Sequence, residues 1–211
     1  MAVQMPTATT LDVRTMGGIS GKCALISDGA GLVAANSTTQ AFIDVIGVGA
    51  TSNIIQTAAD SNMASGAIPV SEVYTVFGFQ IQLGVLLANN TQFDTVANVP
   101  ANVIQDALNA ISMTLNIKGQ NYPIGSLMTM PAQQGWGTTT NGVGYPLNGG
   151  KNVPTFRFPP ELALQLGSND TYSLRFTAER AFNLTTANSR LLIWIYNAAS
   201  RGISVGQLSG A

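Results

Sequence analysis

The chain contains no histidine. That removes the side chain that titrates near neutrality, the commonest metal ligand, and every serine–histidine or cysteine–histidine nucleophile. It contains a single cysteine, Cys23. No disulfide can form within the chain, and a cysteine-based zinc or iron–sulfur site is excluded. Cys23 itself reads as a small buried apolar residue.

Charge is scarce as well. Lys and Arg together number 9, Asp and Glu 10, so 9% of the residues are charged and the net charge is −1. An ordinary soluble domain carries about 25%. Direct nucleic-acid binding needs clustered Lys and Arg. The densest basic group here, Arg175, Arg180, Arg190 and Arg201, is spread along the C-terminal part, so no direct nucleic-acid binding is expected. The ten acids form no acid/base pair recognisable by spacing. A carboxylate-based glycan-cleaving enzyme would need two of them brought together by the fold. Asp94, Asp106, Glu161 and Glu179 are the ones it would draw on.

Long hydrophobic runs are also missing. The most apolar segment, Phe77 to Ala88, is broken by Gln80, Gln82 and Gly84 and is too short to span a bilayer. Met1 to Pro6 shows no basic region followed by an apolar run, so no signal peptide is expected. Met16-Gly17-Gly18-Ile19-Ser20-Gly21-Lys22-Cys23 imitates a phosphate-binding loop. It has Met where the first Gly belongs and Cys where the magnesium-holding hydroxyl belongs. No catalytic residue, no metal and no cofactor is expected, and the chain is not read as an enzyme.

What is present is apolar. Residues of the hydrophobic class make up 45%, too many for a disordered chain. A chain of 211 residues can bury roughly 70% of the surface its unfolded form exposes. Asn, Gln, Ser and Thr take the place of the missing charge. A soluble monomer usually keeps a charged, mixed surface. This chain cannot, so much of its exterior is expected to be covered by other subunits.

The pattern predicts strands. Leu191 to Tyr196 is an unbroken apolar run between Arg190 and Asn197, which predicts a strand buried on both faces, with Trp194 and Tyr196 packed in the core. From Val73 to Leu83 the period is two, with Val73, Thr75, Phe77, Phe79, Ile81 and Leu83 on one face and a bend at Gly78. Lys22 to Ile26 is a first short strand, and Phe42 to Val48 another candidate. Pro100 to Ala110 predicts a helix with Val103, Ile104, Ala107, Leu108 and Ile111 as its apolar stripe, Pro100 opening it and Asn98 nearby as a cap. The period then switches to two, and Ile111 to Lys118 pairs with Tyr122 to Met128 as a hairpin turning at Lys118 to Asn121. Thr155 to Phe158, Thr171 to Thr177 and Ala181 to Leu184 complete the set. Residues 1–18 and 201–211 read as extended arms, and 19–200 as one domain. The expectation is an all-β sandwich of about eight strands with one inserted helix at about 100–110.

Residues 131–154 form a long Gly-, Thr- and Asn-rich loop. A loop of that length is usually functional or an interaction surface. Trp136 and Tyr145 within it are the candidate subunit or partner contacts, or else they pin the loop to their own domain. Exposed aromatics beside Asn and Gln would instead suit a glycan- or receptor-binding sandwich of a phage fibre or tail, with Trp136 as the residue to test.

The segments Phe156-Arg157-Phe158-Pro159-Pro160-Glu161-Leu162, Thr171 to Thr177 and Arg190 to Tyr196 together resemble the last strands of jelly-roll virion proteins. The Asn116-Ile117-Lys118-Gly119-Gln120-Asn121-Tyr122-Pro123-Ile124-Gly125 hairpin is similar to those of bacteriophage capsid jelly rolls. The resemblance spans about residues 70–200 and carries no functional residue across. It implies a structural virion protein, assembled in the host cytoplasm, whose partners are copies of itself and other virion proteins. The lack of a basic arm departs from capsids that bind their genome directly, and fits a shell over an inner membrane or inner layer, or a decoration protein.

Overall fold

The computed structural model describes residues 19–43, 61, 63, 67, 68, 70, 72–86, 93, 94, 101–129, 137, 138, 144, 145, 155–157 and 164–203. In chain order the elements are β1 (Ile19–Ile26), β2 (Leu32–Val33), β3 (Thr38–Ala41), β4 (Glu72–Leu86), β5 (Phe93–Asp94), α1 (Ala101–Ala110), β6 (Ile111–Ile117), β7 (Gln120–Ser126), β8 (Gly137–Thr138), β9 (Gly144–Tyr145), β10 (Thr155–Arg157), β11 (Leu164–Leu166), β12 (Tyr172–Ala178), β13 (Phe182–Asn183) and β14 (Arg190–Ile203). A 3-10 turn, Leu127–Thr129, follows β7. All pairing between these strands is antiparallel.

Two sheets carry the fold. One is ordered β1-β14-β4-β10, with β5 and β11 also paired to β4, and the other is ordered β3-β12-β6-β7. Side chains from both form one core. Leu25, Ile81, Val85, Leu191 and Ile193 come from the first sheet, and Ala41, Met113, Leu115, Leu174 and Phe176 from the second. The protein is therefore an all-β sandwich, with one α-helix among the described residues midway along the chain, as the pattern predicts. In β12 the alternation is read correctly: Tyr172, Leu174 and Phe176 are buried and Arg175 is exposed.

The run Leu191 to Tyr196 departs from expectation. Leu191, Ile193 and Ile195 face the core, and Leu192 is buried on the other side. Trp194 is only half-buried, and Tyr196 is 45% exposed. The first sheet is covered on its outer face along part of its length, so a continuous apolar run does not mean burial at every position. β14 also continues to Ile203, paired with Glu72, so the tail expected from Arg201 begins inside the strand. Residues 1–18 lie outside the described residues. β1 starts at Ile19, three residues before the predicted Lys22.

β4 corrects a second expectation. Tyr74 and Val76 are buried, then Phe79, Ile81, Leu83 and Val85, so the inward face changes parity in mid-strand. The pairing with β14 shows why: Ala199 opposes Val76 and Ala198 opposes Gly78, which leaves Phe77 with no opposite number. Such a bulge inserts one residue and re-aims its neighbours. Phe77, expected on the same face as Phe79, is 46% exposed.

α1 buries the whole predicted stripe, with Val103, Ile104, Ala107 and Leu108 in the core beside Ile111; Asn98 and Pro100 lie outside the described residues. β6 and β7 form the expected hairpin, joined by Lys118 and Gly119, with Ile117 opposite Gln120. The strand β7 therefore starts earlier than Tyr122 and gives way to the 3-10 turn before Met128. Both turn residues have positive φ, 52° at Lys118 and 78° at Gly119, the conformation that fits the twist of a two-residue hairpin. A Cβ added at Gly119 would meet nothing within 4 Å, so Gly119→Ala tests backbone strain alone. It is expected to destabilise the fold by about 1–2 kcal/mol, read from the urea midpoint at unchanged m-value.

The strand expected over Phe42 to Val48 is not formed at its start. β3 ends at Ala41, and Phe42 has φ 70°, which no strand continues through. Residues 44–50 lie outside the described residues.

Candidate interaction surface

The two sheets are tied by a buried polar bridge. Tyr172, on β12, donates its hydroxyl to Oδ1 of Asn197 on β14. Asn197 Nδ2 then donates to the carbonyl of Ile19, 3.0 Å away, at the start of β1. Both side chains are fully buried. Burial pushes the Tyr172 hydroxyl well above the ordinary phenol range, so it remains a donor at any working pH. The Tyr172 ring also packs against Phe42, centroids 5.7 Å apart and tilted by 31°. Gly21, on β1, makes room for Phe42, because a Cβ there would run into its ring.

This bridge sets which way β14 faces. With Asn197 and Ile195 turned inward, the period of two turns Trp194 and Tyr196 outward. In the backbone register Tyr196 lies opposite Gln80 on β4, and Trp194 opposite Gln82. On β1, Ser20 and Lys22 lie opposite Tyr196 and Trp194. Phe77 is exposed at the bulge in β4. The sequence signal for Trp194 and Tyr196 was present, since they are two apart in a strand, but the unbroken apolar run pointed to the core instead. Nothing in the sequence signalled that Phe77 would turn out.

Trp136 lies outside the described residues. Tyr145 is placed by its backbone in β9, opposite Gly137, and β9 lies beside α1.

Two of the four acids named for the carboxylate alternative have described partners. Asp106, on α1, forms an ion pair with Arg180 at 2.5 Å, and that bond raises the Arg180 guanidinium further above its ordinary value. Glu179 accepts the hydroxyl of Ser112. The side chain of Asp94 and all of Glu161 lie outside the described residues. Among the described residues no three His, Cys, Asp or Glu side chains group as a metal site. Arg175 stands on the second sheet between Gln40 and Thr114, while Arg190 and Arg201 are placed far apart along the backbone of β14. Burial pushes the Cys23 thiol up to about 12, so it is inert as a nucleophile at neutral pH. No helix among the described residues is long and apolar enough to cross a membrane.

At one end of the sandwich Lys118 reaches Asp170 at 3.1 Å. Partial burial raises the Asp170 carboxyl, but the Gly167 amide and Lys118 outweigh it and hold it below the ordinary range. A carboxyl depressed on folding contributes stability above its unfolded pKa, about 4, and loses it as pH falls through the folded value. Melting temperature is therefore expected to fall with acidification below about pH 4. Asp170→Asn should flatten part of that acid limb, with a small effect at pH 7 because the pair is exposed. An acid limb of unchanged slope in the variant contradicts this.

In comparison with known proteins, the chain matches no protein-family model, no curated protein and no solved structure.

Proposed function

We propose that this chain is a structural virion protein: a jelly-roll capsid or capsid-associated protein that assembles with copies of itself into a symmetric shell or oligomer. The observation that carries the proposal is strand order. Take the eight strands β1, β3, β4, β6, β7, β10, β12 and β14. The first sheet holds them as 1-14-4-10 and the second as 3-12-6-7. Along the chain, each step from one of these strands to the next changes sheet, except the β6–β7 hairpin. Eight antiparallel strands wound this way across two sheets match the double Greek key of a jelly roll, which capsid and lectin domains share.

Fold alone does not choose a function. The choice rests on surface chemistry: few charges, and exposed aromatics on a rigid sheet. Both suit burial between subunits, where aromatics are enriched and charge is depleted. Its partners are then copies of itself and other virion proteins, and its place is the virion. The test is light scattering of the purified chain across a wide concentration range. Mass should rise in steps towards a closed oligomer. A stable monomer at high concentration contradicts the proposal.

One observation favours a second reading, a glycan- or receptor-binding sandwich. Trp194 and Tyr196 alternate with the inward residues of β14, and the backbone register sets Gln82 and Gln80 opposite them. That reading predicts a glycan-array signal that Trp194→Ala abolishes.

A further inference from the structure

β3 is a strand of four residues at one edge of the second sheet, paired among the described residues with β12 alone. It buries little apolar surface. Thr38 is exposed and Gln40 half-buried, so only Thr39 and Ala41 are enclosed. The Thr39 hydroxyl is buried beside the Cys23 thiol of β1 and finds no hydrogen-bond partner of proper geometry. A stranded hydroxyl opposes the burial of its own strand. The large apolar group that follows them is Phe42. Its ring is buried, packed against Tyr172 of β12 and over Gly21 of β1. It reaches that place only with φ 70°, a backbone conformation that a bulky residue adopts under strain. Gly21 and Cys23 are two apart on β1 and share a face. Phe42 over the one and Thr39 beside the other therefore lay β3 along the seam where the two sheets meet. The opposite end of β3 is tied down. The Asn36 amide donates to the Ala178 carbonyl at 2.7 Å, and the Ala178 amide to the Ser37 carbonyl at 2.9 Å. Asn36 has φ 64°, which asparagine accepts more readily than other side chains.

We propose that residues 38–42 are a strap that lifts off this seam as a unit while the rest of the sandwich stays folded, pivoting at Asn36 and Ser37 and uncovering Cys23. The inference is independent of the assembly reading above. Burial of one ring closes the strap. The strained backbone of that same residue and the stranded Thr39 hydroxyl both favour release, and release exposes only the Ala41 methyl besides. Regions that open locally are those with few buried apolar contacts of their own. The strap meets that condition although it sits on the core. Its departure leaves Leu174 to Thr177 of β12 without their partners Ala41 to Thr38, so an unpaired strand edge appears at the seam.

The chain carries its own reporter. Cys23 is its single cysteine and is fully buried while the strap is closed. The full chain is treated with excess of the thiol reagent DTNB in dilute urea, and the labelling rate is followed as urea is raised. Labelling should outrun global unfolding, and its urea dependence should be less than about half the equilibrium m-value. Phe42→Ala keeps the left-handed backbone but loses the ring, and should speed labelling about tenfold or more. Thr39→Val removes the stranded hydroxyl and should slow labelling about threefold or more. Leu108→Ala, in α1, which packs on β6, β7 and β13, should lower the urea midpoint yet leave labelling in dilute urea unchanged, because local release does not draw on that part of the core. Wild-type labelling that carries the full m-value, or that is no faster than global unfolding allows, overturns the proposal. So does an unchanged rate in Thr39→Val, or a Leu108→Ala rate that rises in step with its loss of stability. If circular dichroism shows Phe42→Ala unfolded, the wild-type slope and the other two variants decide.

Discussion

Asn197→Ala is expected to cost about 2–4 kcal/mol, because it strands two buried partners at once. The Tyr172 hydroxyl loses its acceptor and the Ile19 carbonyl loses its side-chain donor. Each buried polar group left unsatisfied costs about 1–3 kcal/mol. In a chain of this size that lowers the melting temperature by about 2–4 °C per kcal/mol. Tyr172→Phe alone should cost about 1–3 kcal/mol, since it leaves Asn197 Oδ1 without its donor. The two losses share one bond, so the double variant should be milder than their sum. Urea unfolding of the four proteins in the cycle measures the coupling. Strict additivity would mean that the bridge between the sheets contributes nothing of its own.

The second large effect separates the two faces of the sandwich. Phe176 is fully buried between the sheets and Phe77 stands exposed in the bulge. Phe176→Ala removes the same atoms as Phe77→Ala, but from a close-packed core that relaxes only in part. It is expected to cost about 3–5 kcal/mol. Phe77→Ala in the isolated subunit should stay within about 0.5 kcal/mol. Chemical denaturation at concentrations below association makes the comparison. A costly Phe77→Ala under those conditions would mean that Phe77 packs against its own chain.

The sequence and the structure agree where a single local period governs the chain. The α1 stripe, the switch to period two at Ile111 and the alternation in β12 are all legible, because side-chain direction is fixed by backbone geometry alone. Disagreement appears where a third party intervenes. Whether Trp194 and Tyr196 are covered depends on what lies over the outer face, and no periodicity encodes that. The parity change in β4 depends on how β14 pairs with it, a contact between segments more than a hundred residues apart. Gly78 hinted at a bend there without saying which neighbour would turn out. The Tyr172–Asn197 bridge was equally hidden, since Asn197 read only as the polar end of an apolar run. The pairing order of the sheets is likewise non-local, and it carries the functional proposal.

The same low charge that excludes familiar chemistry shapes the account of assembly. A face with Lys or Glu at the positions of Trp194 and Tyr196 would stay solvated and keep copies apart. Here strand pairing places aromatics there, and the buried amide of Asn197, turned the other way on the same strand, fixes their direction. One residue's inward bond and its neighbour's outward exposure are thus two consequences of one pleat.

Electron cryomicroscopy of the purified full-length chain at high concentration tests the central claim most directly. The account predicts closed, symmetric particles in which the two sheets keep the orders 1-14-4-10 and 3-12-6-7. Single subunits only, or an order in which β14 no longer lies between β1 and β4, would contradict it.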